Sequence, residues 1–266
     1  MFSIDDFSLP KGAARGGVVS FPPREKLISC RAQNRLPKEA VSVLIFSFPY
    51  FSPLLKGNIS KYAMVADYHT VLISTLKDYC NLLSQKTGGE FVPFVDNSPI
   101  PEVYSAAKAG LGFLGANSLI IDPDYGSYVF LGSVVTNIPF SSTEGEIKRC
   151  IGCGRCQAAC PGQAISNSCF EKDDYFSEIT QKKRPPTQKQ AEIMRKHKLL
   201  WGCDICQDVC PMNKNKKYTE NPLFLEDIVT ELTEEIIETC CKERAFGFRG
   251  TAVLYRNLDI LSKHFI

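Results

Sequence analysis

No stretch of this 266-residue chain stays apolar for the roughly 18 residues a membrane helix requires. The best candidate, Val41 to Leu55, is broken by Pro49 and Pro53. The N-terminus, MFSIDDFSLP, carries Asp5 and Asp6 where a signal peptide needs basic residues ahead of an apolar run. A soluble cytoplasmic protein without a membrane partner is the expectation. Net charge is also scarce: 31 Lys and Arg face 29 Asp and Glu, leaving +2. That balance excludes a protein gripping nucleic acid through its whole surface, though not one using a local basic patch. Twelve cysteines, about 4.5% of the chain, fall short of the roughly 8 to 10% that marks secreted disulfide scaffolds. In a reducing compartment, clustered cysteines are metal ligands rather than disulfides. With 44% hydrophobic and 23% charged residues, the chain can bury a core as one large domain or two smaller ones.

Cysteine is nearly absent from the first 149 residues, which hold only Cys30 and Cys80. Seven of the twelve crowd into two groups, Cys150, Cys153, Cys156, Cys160 and Cys203, Cys206, Cys210. This places a boundary in the polar stretch Ser141 to Glu146 and suggests segments 1–143, 144–220 and 221–266. The first alternates strand-like and helix-like runs. Val41 to Phe48 and Phe91 to Val95 read as strands. Tyr68, Leu72, Leu76, Tyr79 and Leu83 give a helical period within a helix over Tyr62 to Leu83, ended by Gly88 and Gly89. A second helix opens at Ser98, Pro99 and Glu102 and stops at Gly110. Asn117 to Ile121 and Ser127 to Thr136 read as strands joined by an Asp122 to Gly126 turn. The expected fold is an α/β (α+β) N-terminal domain with a mixed sheet, then a ferredoxin-like double [4Fe-4S] domain and a helical C-terminal segment packing back on the core.

The first cysteine group has the form C-x2-C-x2-C-x3-C-P of bacterial ferredoxins, in which the fourth Cys serves the other cluster of a pair. Gly152 and Gly154 leave room for backbone to wrap the cluster. The second group, Cys203-x2-Cys206-x3-Cys210-Pro211, ends the same way with one ligand fewer. Crossing the pattern assigns Cys150, Cys153, Cys156 and Cys210 to one cluster. Cys160, Cys203 and Cys206 then need a fourth partner, and Cys169 is the remaining cysteine nearby. Structural zinc, which favours two separated C-x2-C pairs, fits this spacing poorly. Cys30, Cys80, Cys240 and Cys241 read as small hydrophobes, Cys80 on the buried face of the long helix.

Several further motifs run in order along the chain: Tyr62-Ala63 and Asp67-Tyr68-His69, Asp96 within VDNSP, and Ala109-Gly110-Leu111-Gly112 followed by Gly115 and Asn117. Gly126-Ser127 precedes Phe130-Leu131-Gly132, Trp201-Gly202 leads into the second cysteine group, and Arg256-Asn257 lies near the end. Together they resemble the epoxyqueuosine reductase family, from about Tyr62 to Asn257, with the cysteine motifs as the most specific part. The resemblance implies an iron-sulfur, cobalamin-dependent oxidoreductase that removes the epoxide oxygen from epoxyqueuosine in tRNA, the last step of queuosine synthesis. It implies a corrinoid between the N-terminal domain and the clusters, and an external low-potential donor of ferredoxin or flavodoxin type. Asp96 matches the proton donor to the departing oxygen. Tyr68, His69, Gly110, Gly112, Asn117 and Ser127 match the corrinoid or substrate pocket. An acid there needs a pKa raised by burial, and Asp96 between an apolar strand and a Pro-containing turn offers the setting.

The chain departs from the family in three places. Gly115-Ala116-Asn117 stands where a Gly-Lys-Asn run is usual. An ungapped alignment through Thr180-Gln181-Lys182-Lys183 puts Tyr175 at the isolated cluster cysteine, with Cys169 six residues upstream. The match also stops short of the helical repeats with which long members help hold tRNA. A plain two-cluster electron carrier is the main alternative, but it leaves the upstream acid and Gly-rich stretch without a use; a corrinoid reductase of a small molecule is another. Lys182, Lys183, Arg184, Lys189, Arg195, Lys196, Lys198, Lys214, Lys216 and Lys217, against Glu192, Asp204 and Asp208, form a basic region suited to a solvated face or to tRNA phosphates.

Overall fold

A computed structural model describes residues 1–166 and 174–262. In chain order its first elements are β1 (Arg15–Ser20), β2 (Ser42–Pro49), α1 (Lys61–Met64), α2 (Tyr68–Thr87), β3 (Phe91–Phe94), α3 (Glu102–Lys108), β4 (Phe113–Leu114), β5 (Ile120–Ile121) and β6 (Val129–Thr136). Helices follow: α4 (Arg155–Ala159), α5 (Phe176–Gln181), α6 (Gln188–His197), α7 (Ile205–Asp208), α8 (Pro222–Leu225), α9 (Glu234–Cys240) and α10 (Thr251–Ser262). None of the described helices is long and apolar enough to cross a membrane. Two compact units interleave along the chain. One comprises Met1–Tyr50, Tyr68–Gly152 and Asn215–Asn221; the other comprises Phe51–Asp67, Cys153–Lys214 and Pro222–Ile266.

The first unit is built on β2, a β-branched and aromatic run whose eight residues are all buried. The sheet order is β1-β2-β6-β3, and all three pairings are antiparallel. The expected combination of strands and helices is present, but the sheet is antiparallel rather than mixed. The strand–helix–strand order of β2, α2 and β3 is that of a parallel crossover. Here β6 fills the gap between β2 and β3 and runs against both, so no parallel pair forms. For the same reason the proposed hairpin across Asp122 to Gly126 divides: β6 joins the large sheet, while β5 pairs with β4 in a two-stranded ribbon. The strand β1, which sequence reading passed over, pairs along β2 from Arg15 with Ser47 to Ser20 with Ser42.

Alternation along β2 serves two cores. Val43 and Ile45 pack with Phe94, Ile100, Ala106 and Val135. On the other face Phe46 meets Tyr79 of α2 edge-on at 5.4 Å between ring centroids. The long helix starts at Tyr68 rather than Tyr62, because the chain is extended at Val65 after the single turn α1. Cys80 is buried on its inner face as expected, and burial pushes its thiol up to about 12.

The second unit is helical in its described part. Phe176 and Ile179 of α5, Met194 of α6 and Leu199 form a core joined by Ile260 and Leu261 of α10. Thr187 and Gln190 close a reciprocal capping box at the start of α6. Trp201 is fully buried, and its Nε1–H donates to the Tyr62 hydroxyl at 3.0 Å.

Candidate functional site

In the first unit the candidate acid sits just past the end of β3. Asp96 has φ +58°, the left-handed region that Asp tolerates better than most residues. Asn97 N–H donates to Val95 O at 2.7 Å across it, closing a γ-turn of the strained, positive-φ kind. The turn lifts the carboxyl out of the core, so the Asp96 side chain is 64% exposed. The burial expected for it is not found, because β3 ends at Phe94 and the γ-turn directs the following residues outward. His69, in the first turn of α2, brings Nε2 to 3.3 Å from Asp96 Oδ2. Its ring lies 4.0 Å from that of Tyr68, which stacks on Phe130 at 4.3 Å with planes 7° apart. Phe130 in turn stacks on Tyr50 at 4.3 Å. The structure thus brings together Asp96, His69 and Tyr68, three residues drawn from two elements.

A carboxyl that sequence reading missed lies behind them. Glu102, at the start of α3, accepts from Ser133 Oγ at 2.8 Å. Burial, opposed by the hydroxyls of Ser133 and Ser98 and reinforced by the charge of Asp96, pushes Glu102 up to about 8. The signal in the sequence was an acid six residues beyond Asp96 that looked like an ordinary helix-start residue.

The other residues expected in the pocket have packing roles. A Cβ on Gly112 would stand 2.3 Å from Ile121 O, so glycine lets the 110–115 backbone close on β5. Gly110, at φ +83°, follows α3. Asn117 and Ser127 are buried. Ala116 N–H points at Cys150 Sγ at 3.4 Å, the kind of backbone donor that tunes a ligating sulfur.

In the second unit Cys160 packs with Cys156, Cys206 and Tyr175. Burial pushes Cys203 up to about 12, with Cys206, Asp204 and Cys160 adding to it. Gly152 and Gly154 both have positive φ, and Gly154 caps α4 as the turn between thiols requires. Cys169 lies outside the described residues. No three described Cys, His, Asp or Glu side chains converge on a single-ion site. A tetrahedral zinc draws its sulfurs to about 3.8 Å of one another from Zn–S bonds of about 2.3 Å, whereas a cubane holds them farther apart. The donor set of thiols, positive-φ glycines and an adjacent apolar pocket fits a cluster.

The loop bearing the second cysteine group is heavily anchored. Asp204 is buried and pushed up by that burial, with Lys61 opposing the shift. It accepts from the Ser60 hydroxyl, from Lys61 N–H at 2.6 Å and from Gln207 Nε2 at 3.2 Å. Gly202 N–H donates to Thr180 Oγ1 at 2.9 Å. Asn257, fully buried, donates from Nδ2 to Thr180 O and Leu200 O, both at 2.8 Å. Arg256 Nη1 donates to Lys182 O at 2.7 Å. Tyr62 accepts from Gln181 Nε2 at 3.2 Å as well as from Trp201. Within the basic region, Lys183, Arg184, Lys189, Lys196, Lys198 and Lys214 are exposed, while Lys217 pairs with Asp124 at 3.2 Å.

Comparison with known proteins is consistent with this division. Residues 149–213 match a 4Fe-4S double cluster binding domain, and residues 31–97 match the family described as epoxyqueuosine reductase QueG, DUF1730. An epoxyqueuosine reductase of Synechocystis sp. is 37% identical over 195 residues, covering 68% of this chain and 65% of that protein. One of Cellulophaga algicola is 30% identical over 249 residues, covering 85% of this chain and 78% of its own. The chain spans between half and two thirds of the length of other curated relatives, 50% in Listeria monocytogenes. The crystal structure of an epoxyqueuosine reductase with an epoxyqueuosine-modified tRNA-Tyr stem loop superposes with a TM-score of 0.79 at 24% identity, covering 94% of this chain and 77% of that one. A reductive dehalogenase of B12-dependent mechanism shares the fold more distantly, with a TM-score of 0.51 at 13% identity over 94% of this chain and 34% of its own.

Proposed function

The chain belongs to the epoxyqueuosine reductase family, and on that premise we propose that it is an iron-sulfur, cobalamin-dependent reductase that removes the epoxide oxygen of epoxyqueuosine in tRNA. The observation that carries this reading is the presence, in one chain, of a double-cluster cysteine pattern and of a carboxyl–imidazole pair, Asp96 and His69, held 3.3 Å apart on an outward turn. Converting an epoxide to an alkene and water takes two electrons and two protons. A bound corrinoid supplies a cobalt centre that passes electrons to the substrate, and the clusters relay them one at a time from a ferredoxin or flavodoxin type donor.

The chain's own residues handle the protons and the positioning. Asp96 donates from its carboxyl to the departing oxygen, and the γ-turn aims that carboxyl away from the core. His69, within reach of the same carboxylate, returns a proton to it after transfer. Glu102, which stays protonated below about 8, keeps a second negative charge away from Asp96 at neutral pH. Tyr68, backed by Phe130, offers a flat aromatic surface beside the pair. Cys150, Cys153, Cys156 and Cys210 hold one cluster, and Cys160, Cys203 and Cys206 hold three corners of the other. The exposed lysines and arginines of residues 183–214 meet tRNA phosphates, and a tRNA substrate places the reaction in the cytoplasm.

The test is anaerobic protein incubated with cobalamin, examined by visible spectroscopy, then given tRNA containing epoxyqueuosine. Corrinoid retention and queuosine formation are expected, with tRNA binding that weakens steeply as salt rises because each neutralised phosphate releases counterions. No product from loaded, reducible enzyme assigns the site to a small molecule instead, and failure to retain corrinoid leaves the plain electron carrier.

A further inference from the structure

A [4Fe-4S] cube has four iron corners, and the described residues give the second cluster three thiolates, Cys160, Cys203 and Cys206. Tyr175 lies against this set. It precedes α5 as its N-cap, and Ile179 N–H donates to Tyr175 O at 2.9 Å, which fixes the backbone there. Its side chain shares one apolar pocket with Cys160, Cys156, Cys206, Ala164 and Ile165. The phenol faces Cys203 and Cys206, with Ser177 also within hydrogen-bonding reach. The approach is built in. A Cβ on Gly162 would stand 1.8 Å from Asp174 O and 3.1 Å from Phe176 Cδ2, so glycine after Cys160-Pro161 lets the residues flanking Tyr175 press onto the cysteine turn.

We propose that Tyr175 Oη is the fourth ligand of the second cluster, giving it one oxygen-ligated iron among three bound by thiolate. The inference deepens the double-cluster reading and rests on it. Ligation forms an iron–oxygen bond as the phenolic O–H releases its proton to solvent, and no electron moves. Iron accepts tyrosinate elsewhere, as the axial ligand of haem in catalase. A tyrosine that served packing alone would leave the cluster with no optical or magnetic mark of oxygen.

Anaerobically reconstituted wild type, Tyr175→Phe, Tyr175→Cys and Cys169→Ala are compared by iron content, visible and resonance Raman spectra, and EPR before and after mild oxidation. Wild type should bind about eight iron per chain and show a tyrosinate-to-iron charge-transfer band with enhanced tyrosinate ring modes. Those features should vanish in Tyr175→Phe, whose second cluster should pass to a three-iron form on oxidation. Tyr175→Cys should restore a four-iron cluster without the band, and Cys169→Ala should match wild type. Loss of about half the iron in Cys169→Ala, with Tyr175→Phe unchanged, would overturn the proposal in favour of Cys169. If Tyr175→Phe fails to fold, the wild-type spectrum decides: no tyrosinate band overturns the assignment. About four iron, or zinc instead, brings down the double-cluster reading itself and the proposal with it.

Discussion

The loop carrying Asp96 and the loop carrying the second cysteine group are held in opposite ways. Asp96 is solvent-facing, sits in a left-handed γ-turn and has one recorded side-chain partner, His69. Asp204, between Cys203 and Cys206, is buried and accepts from Ser60, Lys61 and Gln207. A group that must hand a proton to an incoming substrate has to stay accessible, so its turn is imposed by the strand and helix on either side, at a cost in strain. Thiols that must meet a preformed cluster have to be placed before it arrives, so their loop is over-determined by buried hydrogen bonds.

The sharpest test of this contrast separates chemistry from folding. Asp96→Asn keeps the size and the tolerance for positive φ but removes the acidic proton. Turnover should fall by about 10²- to 10⁴-fold, while iron content and melting temperature stay at wild-type values. Wild-type turnover in this variant would remove Asp96 from the chemistry.

Asp204→Ala should do the reverse. Its loss leaves the Ser60 hydroxyl, Lys61 N–H and Gln207 amide without their buried acceptor, at about 2 to 4 kcal/mol. A lower melting temperature and poorer iron retention should appear together in thermal denaturation and iron assays. Unchanged iron binding would mean that Asp204 does not position the cysteine loop.

Glu102→Gln probes a third environment, a buried acid in the first unit. The folded pKa of Glu102 is raised from 4.5 to about 8, so the folded state holds its proton where the unfolded state has lost it. That contribution to stability is full below about 4.5 and is lost as pH rises toward about 8. Melting temperature measured from pH 5 to 9 should therefore fall more steeply for wild type than for Glu102→Gln. Parallel curves would place the ionisation elsewhere.

The smallest effect concerns the strain itself. Asp96→Gly relieves the side chain of its positive φ and should leave stability equal or higher by up to about 1 kcal/mol, measured by denaturant unfolding, even though the acid is gone. A clear loss of stability would mean that the Asp96–His69 contact outweighs the strain.

Much of this molecule was legible from residue order, and the reasons differ by region. Cluster ligands lie two or three residues apart, so their chemistry is written in local spacing. The long helix was visible in the period of Leu72, Leu76, Tyr79 and Leu83, and β2 in its unbroken apolar run, because each buries a face that composition marks directly. Asp96 was found by its motif, yet its exposure was misjudged, since a γ-turn depends on how β3 ends rather than on which residues flank it. Tyr62, Arg256 and Asn257 entered only as matching positions, and their use as anchors of the 180–184 backbone and of Trp201 became apparent once distant segments met.

Sequence by itself determined the cysteine chemistry, the α/β character of the first part and the candidate acid, because these rest on short spacings and on the periodicity of burial. Tertiary structure alone decided that β6 enters between β2 and β3, that Glu102 lies buried behind Asp96 and that Tyr175 faces Cys203 and Cys206. Each of those depends on contacts between residues well separated along the chain or turned toward one another by packing, and no local pattern encodes which distant segment will supply the neighbour.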